Sequence, residues 1–152
     1  MVRRLPFVLA ALALLSVTAC EKPAPQVTVV TGGRVINVDA SRYCHDQCRD
    51  YPDAELKEIK VRGDSQVSID VPKRVAERGW TLLIGDRPQF ARPLKESHYS
   101  LSIPIIPQEA GQDGQPSKQP EEAALPITII EAGPGDAAPP TGEWKLQFLL
   151  RP

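Results

Sequence analysis

The hydrophobic residues of this chain recur mainly at every second position, which is the period of a β-strand with one buried face. The alternation is clearest over 66–71, 99–105 and 144–150, where apolar side chains share one face and polar side chains the other. Shorter segments with the same pattern lie at 27–29, 36–38, 59–61, 80–84 and 127–129. The pattern therefore predicts about eight strands. Gly32 and Gly33 separate the first two and predict a hairpin.

Helical signals are few and short. Residues 52–60 begin with proline and acidic side chains, and residues 72–78 are followed by Gly79. Each predicts at most one or two helical turns, too few for the crossovers of a parallel sheet. The expected fold class is therefore all-β, an immunoglobulin-like β-sandwich of about 7–8 strands, with a small barrel as the second architecture.

The N-terminus has the order of features of a bacterial lipoprotein signal. Arg3 and Arg4 are followed by the apolar run 5–17, which is shorter than the roughly 20 residues of a membrane-spanning helix. Residues 17–20 (VTAC) fit a lipobox, in which the cysteine thiol receives a diacylglyceryl group. The sequence thus predicts a signal peptide over 1–19 and lipidation of Cys20.

This assignment sets the expected domain organisation and location. A proline-containing tether over 20–25 would be followed by a β-sandwich domain over 26–152, with a disordered loop over 107–125 that is rich in Gln, Glu, Gly and Pro. The expected location is the extracytoplasmic face of the cell membrane, with diacylglyceryl on Cys20 as the membrane contact.

Charge narrows the range of partners. Without residues 1–19 the chain keeps 16 basic and 19 acidic residues, and no basic stripe is visible along the sequence. Nucleic acid is therefore not an expected partner, and the lipid is expected to supply nearly all the membrane affinity. A protein of the envelope is a candidate partner.

Two cysteines remain after lipidation of Cys20. Outside the cytoplasm, Cys44 and Cys48 are expected to form a disulfide that fixes one turn. The alternatives are a metal site, with His45 or His98 as a further ligand, and a thiol-redox motif. A zinc site with four Cys or His ligands would need every Cys and His that remains after lipidation of Cys20.

No enzymatic activity is expected. The chain contains no Gly-x-Ser-x-Gly or Ser-x-x-Lys motif and no pair of histidines at helical spacing. Trp80 and Trp144 stand at the starts of strand patterns and are predicted core residues. The sequence therefore predicts no catalytic residue, no metal ligand and no cofactor.

The order of several motifs resembles a known family. The lipobox and its proline linker are followed by QVTVV, Tyr43-Cys44, Cys48, the run 67–80 (VSIDVPKRVAERGW) and the run 141–148 (TGEWKLQF). This resembles the small actinobacterial lipoproteins grouped as domain of unknown function 2771. The resemblance implies that Cys44 pairs with Cys48 and that 107–126 is a local insertion. It implies no catalytic or ligand residue, because the family's role is unassigned.

The expected function is that of a membrane-anchored cell-envelope lipoprotein, a non-enzymatic binding or structural module. The alternative is an extracytoplasmic metal-handling or thiol-redox lipoprotein that uses Cys44 and Cys48.

Overall fold

A computed structural model describes residues 22–103, 123–135 and 138–151. The predicted signal peptide 1–19, Cys20 and most of the predicted loop 107–125 lie outside the described residues. The described chain forms, in order, β1 (Val27–Thr31), β2 (Arg34–Val38), β3 (Ala40–Cys44), β4 (Cys48–Asp50), β5 (Lys57–Arg62), β6 (Gln66–Asp70), α1 (Lys73–Arg78), β7 (Trp80–Ile84), β8 (Arg87–Pro88), β9 (His98–Ser102), β10 (Ala123–Glu131) and β11 (Gly142–Arg151).

The strands form two sheets that pack as a sandwich. The first sheet has the order β2-β1-β6-β9, and all its pairings are antiparallel. The second has the order β4-β3-β11-β10-β7-β8, with β5 beside β11 as the one parallel pairing of the described strands. The long strand β11 pairs with β3 near its start, where the register shifts between Glu143 and Trp144, and with β5 from Leu146 onward. The predicted all-β sandwich is confirmed.

The predicted inward faces form the core. Apolar side chains at alternate positions of both sheets are almost fully buried, among them Val27, Val29, Val67, Ile69, Leu82, Ile127, Ile129, Leu146 and Phe148. Their polar neighbours along each strand are more exposed, as the alternation predicts. Trp80 and Trp144 are both fully buried, which confirms their predicted place in the core.

Two local predictions are confirmed. Gly32 and Gly33 both adopt positive φ between the paired residues Thr31 and Arg34. This is the backbone of a two-residue type I′ hairpin turn, which glycine adopts without steric cost. Helix α1 also lies where 72–78 predicts it, and the N–H of Gly79 donates to the last-turn carbonyls of Val75 and Ala76.

Other expectations need correction. The described strands number eleven, which is three more than the eight segments with an alternating pattern. The additional strands β3, β4 and β8 were not predicted, because they lack a run of alternating apolar residues. The helix predicted over 52–60 is wrong, whereas the strand predicted over 59–61 is confirmed. Residues 57–62 form β5, in which Ile59 and Val61 are buried and which pairs in parallel with β11. The described end of the predicted loop, 123–125, already belongs to β10.

The predicted tether is fixed to the domain at its C-terminal end. The indole N–H of Trp144 donates to the carbonyl of Pro25 at 2.8 Å, and Pro25 is buried. Ala24 packs against the core cluster. The described part of the tether, residues 22–25, is non-helical, as predicted, but its last residues belong to the folded body. In the described part of the chain, no helix has the length and apolar character needed to cross a membrane.

Candidate functional site

A disulfide closes the hairpin formed by β3 and β4. Cys44 and Cys48 are directly opposite each other in the antiparallel pair, and their sulfurs are bonded. Cys44 is buried, whereas Cys48 is exposed. The predicted disulfide is confirmed, and in this state neither sulfur is a thiolate that could bind a metal.

Removing this disulfide is expected to lower the free energy of unfolding by about 2 kcal/mol, because the loop that it closes is small. The measurement is urea denaturation of the Cys44→Ser/Cys48→Ser variant against the wild type. An unchanged midpoint would contradict a structural role for the bond. A mixed variant with one remaining cysteine is unsuitable, since its thiol could pair with another chain.

A buried carboxylate lies next to this hairpin. Glu131, the last residue of β10, is fully buried, and its Oε2 accepts a hydrogen bond of 3.0 Å from the hydroxyl of Thr141. Its Oε1 lies 3.5 Å from Nη1 of Arg78, at the end of α1. Oε1 makes no hydrogen bond of ordinary geometry with any described residue. An ion pair with one buried partner holds the end of α1 against β10.

An aromatic pair stands beside the carboxylate. The rings of Tyr43 and Trp144 have centroids 6.0 Å apart, and both side chains are buried. The guanidinium carbon of Arg74, one turn before Arg78 on α1, lies 5.2 Å from the centre of the Tyr43 ring. Burial and the nearby Glu131 carboxylate raise the pKa of Tyr43. Strands β3, β10 and β11 and helix α1 therefore meet at one end of the sandwich.

The raised pKa of Glu131 makes the free energy of unfolding depend on pH. Burial raises this pKa above its ordinary value, and the Thr141 hydrogen bond and the charges of Arg78 and Arg74 offset only part of the effect. The folded protein therefore retains the Glu131 proton at pH values where the unfolded chain has lost it. The stabilisation that comes from this retained proton is complete below the ordinary carboxyl pKa of 4.5, and it is lost as pH rises through the raised pKa of Glu131.

We therefore expect Glu131→Gln to remove a fall in stability that the wild type shows as pH rises above about 4.5. A tenfold difference in proton affinity between the two states corresponds to about 1.4 kcal/mol. The measurement is the free energy of unfolding at several pH values. Glu143→Gln, which alters a partly exposed carboxylate of the adjoining strand, is the control and should keep the wild-type slope. Identical slopes in wild type and Glu131→Gln would contradict the assignment.

A cavity opens beside the disulfide and is called here the hairpin pocket. It has a volume of about 690 Å³ and is lined by the turn residues 45–48 together with Lys22, Tyr43, Arg49, Tyr51 and Arg78. This volume is within the range of about 300–1,000 Å³ that is usual for ligand sites. The hairpin pocket thus joins the N-terminal segment, the disulfide turn and the end of α1.

A second cavity involves the other side of the N-terminal segment and is called here the tether pocket. Its volume is about 810 Å³, and residues 23–24, Gln26 and 49–54 contribute to its lining. Asp39, Asp50 and Asp53 are among its lining residues, together with the one cationic residue Arg49. The two cavities therefore differ in charge, with most of the cations in the hairpin pocket and most of the carboxylates in the tether pocket.

A chain of polar side chains crosses the exposed face of the first sheet. His98 contacts Asp70 through Nδ1 at 2.8 Å and Ser100 through Nε2 at 3.1 Å. The order acid, imidazole, hydroxyl is that of serine hydrolases. However, Ser100 also bonds to Ser68, and His98 and Asp70 are about half exposed. These residues line neither the hairpin pocket nor the tether pocket. The Asp70–His98 and Ser68–Ser100 contacts join directly paired neighbours across β6 and β9, and the His98–Ser100 contact joins alternate residues of β9.

The structure brings together only part of what the sequence singled out. His45 is in the hairpin pocket, whereas His98 is on the exposed face of the first sheet, so they do not converge on one site. Among the described residues no group of three or more His, Cys, Asp or Glu could hold a metal. Glu131, Arg78 and Arg74 were missed. One signal was present, because Glu131 continues the inward-facing series of Ile127 and Ile129.

Three of the motif segments that carry the family resemblance meet at this end of the molecule. Tyr43 and Cys48 come from the hairpin, Arg78 from the run 67–80, and Trp144 from the run 141–148. In comparisons with known proteins, no curated protein and no solved structure matches the chain. A family model described as "Protein of unknown function (DUF2771)" matches residues 20–100, more than half of the sequence. The chain therefore belongs to the DUF2771 family.

Proposed function

We propose that this protein is a lipid-anchored, non-enzymatic binding protein of the cell envelope, displayed on the extracytoplasmic face of the membrane. The observation that carries the proposal is the position of the hairpin pocket. Lys22 lines it, and Lys22 is two residues from the cysteine of the predicted lipobox. A binding site and a lipid anchor would therefore share one end of the domain.

Covalent geometry supports this arrangement. The Cα atoms of Cys20 and Lys22 can be at most about 7 Å apart, because an extended chain advances no more than about 3.6 Å per residue. Pro25 is held by Trp144, so the segment between anchor and domain is short. Two acyl chains on Cys20 would keep the hairpin pocket close to the headgroup layer.

The non-enzymatic part of the proposal is supported by the setting of the most reactive-looking side chains. Asp70, His98 and Ser100 lie on an open sheet face, where water would compete with every hydrogen bond of a transition state. In the hairpin pocket, the side chains are suited to binding an anion through cations and hydroxyl groups.

One observation favours a second candidate, a thiol-redox role for Cys44 and Cys48. Cys48 is exposed and lines the hairpin pocket, so a thiolate could reach its sulfur. Incubation with millimolar reduced glutathione followed by thiol counting separates the candidates. A structural bond is expected to stay oxidised, whereas rapid reduction with the fold retained would favour the redox role.

The test of the anchor is mass spectrometry of the protein extracted from membranes with detergent. We expect an N-terminal peptide that starts at Cys20, lacks residues 1–19 and carries the added mass of a diacylglyceryl group. A mature protein that begins elsewhere, or an unmodified Cys20 in the membrane fraction, would refute the lipoprotein proposal.

A further inference from the structure

We propose that the hairpin pocket binds the phosphate ester of an anionic phospholipid headgroup in the leaflet that holds Cys20. This inference rests on the proposed lipid anchor and adds a ligand class to it. It gives the domain a fixed face toward the membrane, in addition to the flexible attachment that the lipid alone would supply.

The lining of the hairpin pocket is mainly cationic. Lys22 and Arg78 contribute cationic side chains to the hairpin pocket, Arg49 lines both this pocket and the tether pocket, and Asp46 is the one carboxylate residue in the hairpin pocket's lining. The three cationic residues come from the N-terminal segment, from β4 and from α1, so folding is what gathers them. Arginine guanidinium groups match the oxygens of a phosphate ester in pairs, and a lysine adds a point charge.

The guanidinium group of Arg78 is held in place by a buried carboxylate. Its Nη1 is 3.5 Å from the buried Oε1 of Glu131, while the Arg78 side chain remains 47% exposed. Glu131 has no exposed surface, so it holds the guanidinium from the protein side and leaves part of it open to the hairpin pocket. Arg74, stacked over the Tyr43 ring one helical turn earlier, adds another positive charge beside the cavity.

The hairpin pocket also lies close along the chain to the proposed lipid anchor. Lys22 is within about 7 Å of Cys20 along the chain, so the anchor would raise the local concentration of headgroups at the hairpin pocket. The tether pocket, which Pro23 and Ala24 line, carries Asp39, Asp50 and Asp53. An anionic leaflet would repel these carboxylates and attract the cations, so the hairpin side is expected to turn toward the membrane.

The experiment uses the mature, lipidated protein in nanodiscs of pure phosphatidylcholine or of phosphatidylcholine with phosphatidylglycerol. Amide hydrogen exchange is followed in peptides that cover 43–51 and 73–79. Phosphatidylglycerol is expected to slow exchange in both peptides by about fivefold, the effect of one cation at an anionic surface. No slowing in these peptides would overturn the proposal.

Matched charge reversals show whether the hairpin pocket is responsible. Lys22→Glu and Arg34→Glu change the net charge equally, but Arg34 is in the β1–β2 hairpin at the opposite end of β1 from the tether. Lys22→Glu is expected to abolish the slowing, and Arg34→Glu to retain it. Equal behaviour of the two variants would refute the assignment to the hairpin pocket. Lys22 is exposed, so its replacement leaves the core intact. Arg78→Gln removes another cation of the hairpin pocket and provides a second variant.

A further sample distinguishes a lipid headgroup from a soluble phosphate ester as the ligand. Soluble glycerol phosphate is added at millimolar concentration to the phosphatidylcholine nanodiscs. Little slowing of amide exchange is expected in this sample. Slowing equal to that caused by phosphatidylglycerol would overturn the lipid assignment in favour of a soluble phosphate ester. Mass spectrometry of the same sample verifies lipidation of Cys20, so failure of the anchor and failure of the headgroup site are distinguishable.

Discussion

Replacing Trp144 by alanine is expected to lower the free energy of unfolding by about 3–5 kcal/mol. The indole is fully buried, packs against Tyr43 and anchors Pro25 by its N–H. The change would therefore leave a cavity and an unpaired carbonyl together. Because small domains are stable by only about 5–15 kcal/mol, much of the stability would be lost. Denaturant unfolding followed by far-ultraviolet circular dichroism measures it, and a loss below 1 kcal/mol would contradict this assignment of Trp144.

A matched pair of milder changes separates packing from anchoring of the tether. Trp144→Phe and Trp80→Phe each keep a large ring in a fully buried place and each remove an indole N–H. The Trp144 bond goes to Pro25 and the Trp80 bond to Glu96, both at 2.8 Å. Both variants are expected to lose about 1–3 kcal/mol. Only Trp144→Phe should speed amide exchange in 22–26, and equal exchange there in both variants would show that the bond does not fix the tether.

The second large effect is expected for Gly142→Ala, with a loss of about 3 kcal/mol. A Cβ at this position would lie 2.6 Å from Cη2 and 2.9 Å from Cζ3 of Trp144, and 3.0 Å from Oε2 of Glu131. These distances are below van der Waals contact, and both neighbours are fully buried, so neither can move into solvent. The thermal midpoint and the free energy of unfolding report the change.

A double substitution tests the mechanism of this effect. The atoms Cη2 and Cζ3 belong to the outer ring of the indole, which phenylalanine lacks. Gly142→Ala combined with Trp144→Phe is therefore expected to cost less than the sum of the two single changes, by about 1 kcal/mol or more. Strict additivity would mean that the alanine methyl group does not press on the Trp144 ring.

The charged end of the sandwich shows where reasoning from sequence stops. The alternation that placed Ile127 and Ile129 in the core also placed Glu131 there, but it did not supply the partner. Arg78 and Thr141 reach Glu131 from α1 and from the end of the loop that follows β10. Residues so separated in sequence become neighbours only when β10 and β11 pair and α1 packs beside them.

The charge of the hairpin pocket has the same origin. The sequence contains no basic stripe, and the expectation that the lipid alone supplies membrane affinity followed from that. Lys22, Arg49 and Arg78 lie in three separate segments and line one cavity in the folded protein. A cluster assembled from single charges leaves no run in the sequence, so a search for runs could not find it.

The sequence by itself determined the strand period, the buried face of each main strand, the Gly32-Gly33 hairpin and the pairing of Cys44 with Cys48. These features depend on neighbours within a few positions, so local patterns carry them. Only the tertiary structure decided the strand order, the parallel pairing of β5 with β11 and the contact of Trp144 with Pro25, which are 119 positions apart. Such contacts depend on which distant surfaces bury one another, and the energy of that burial belongs to the whole fold.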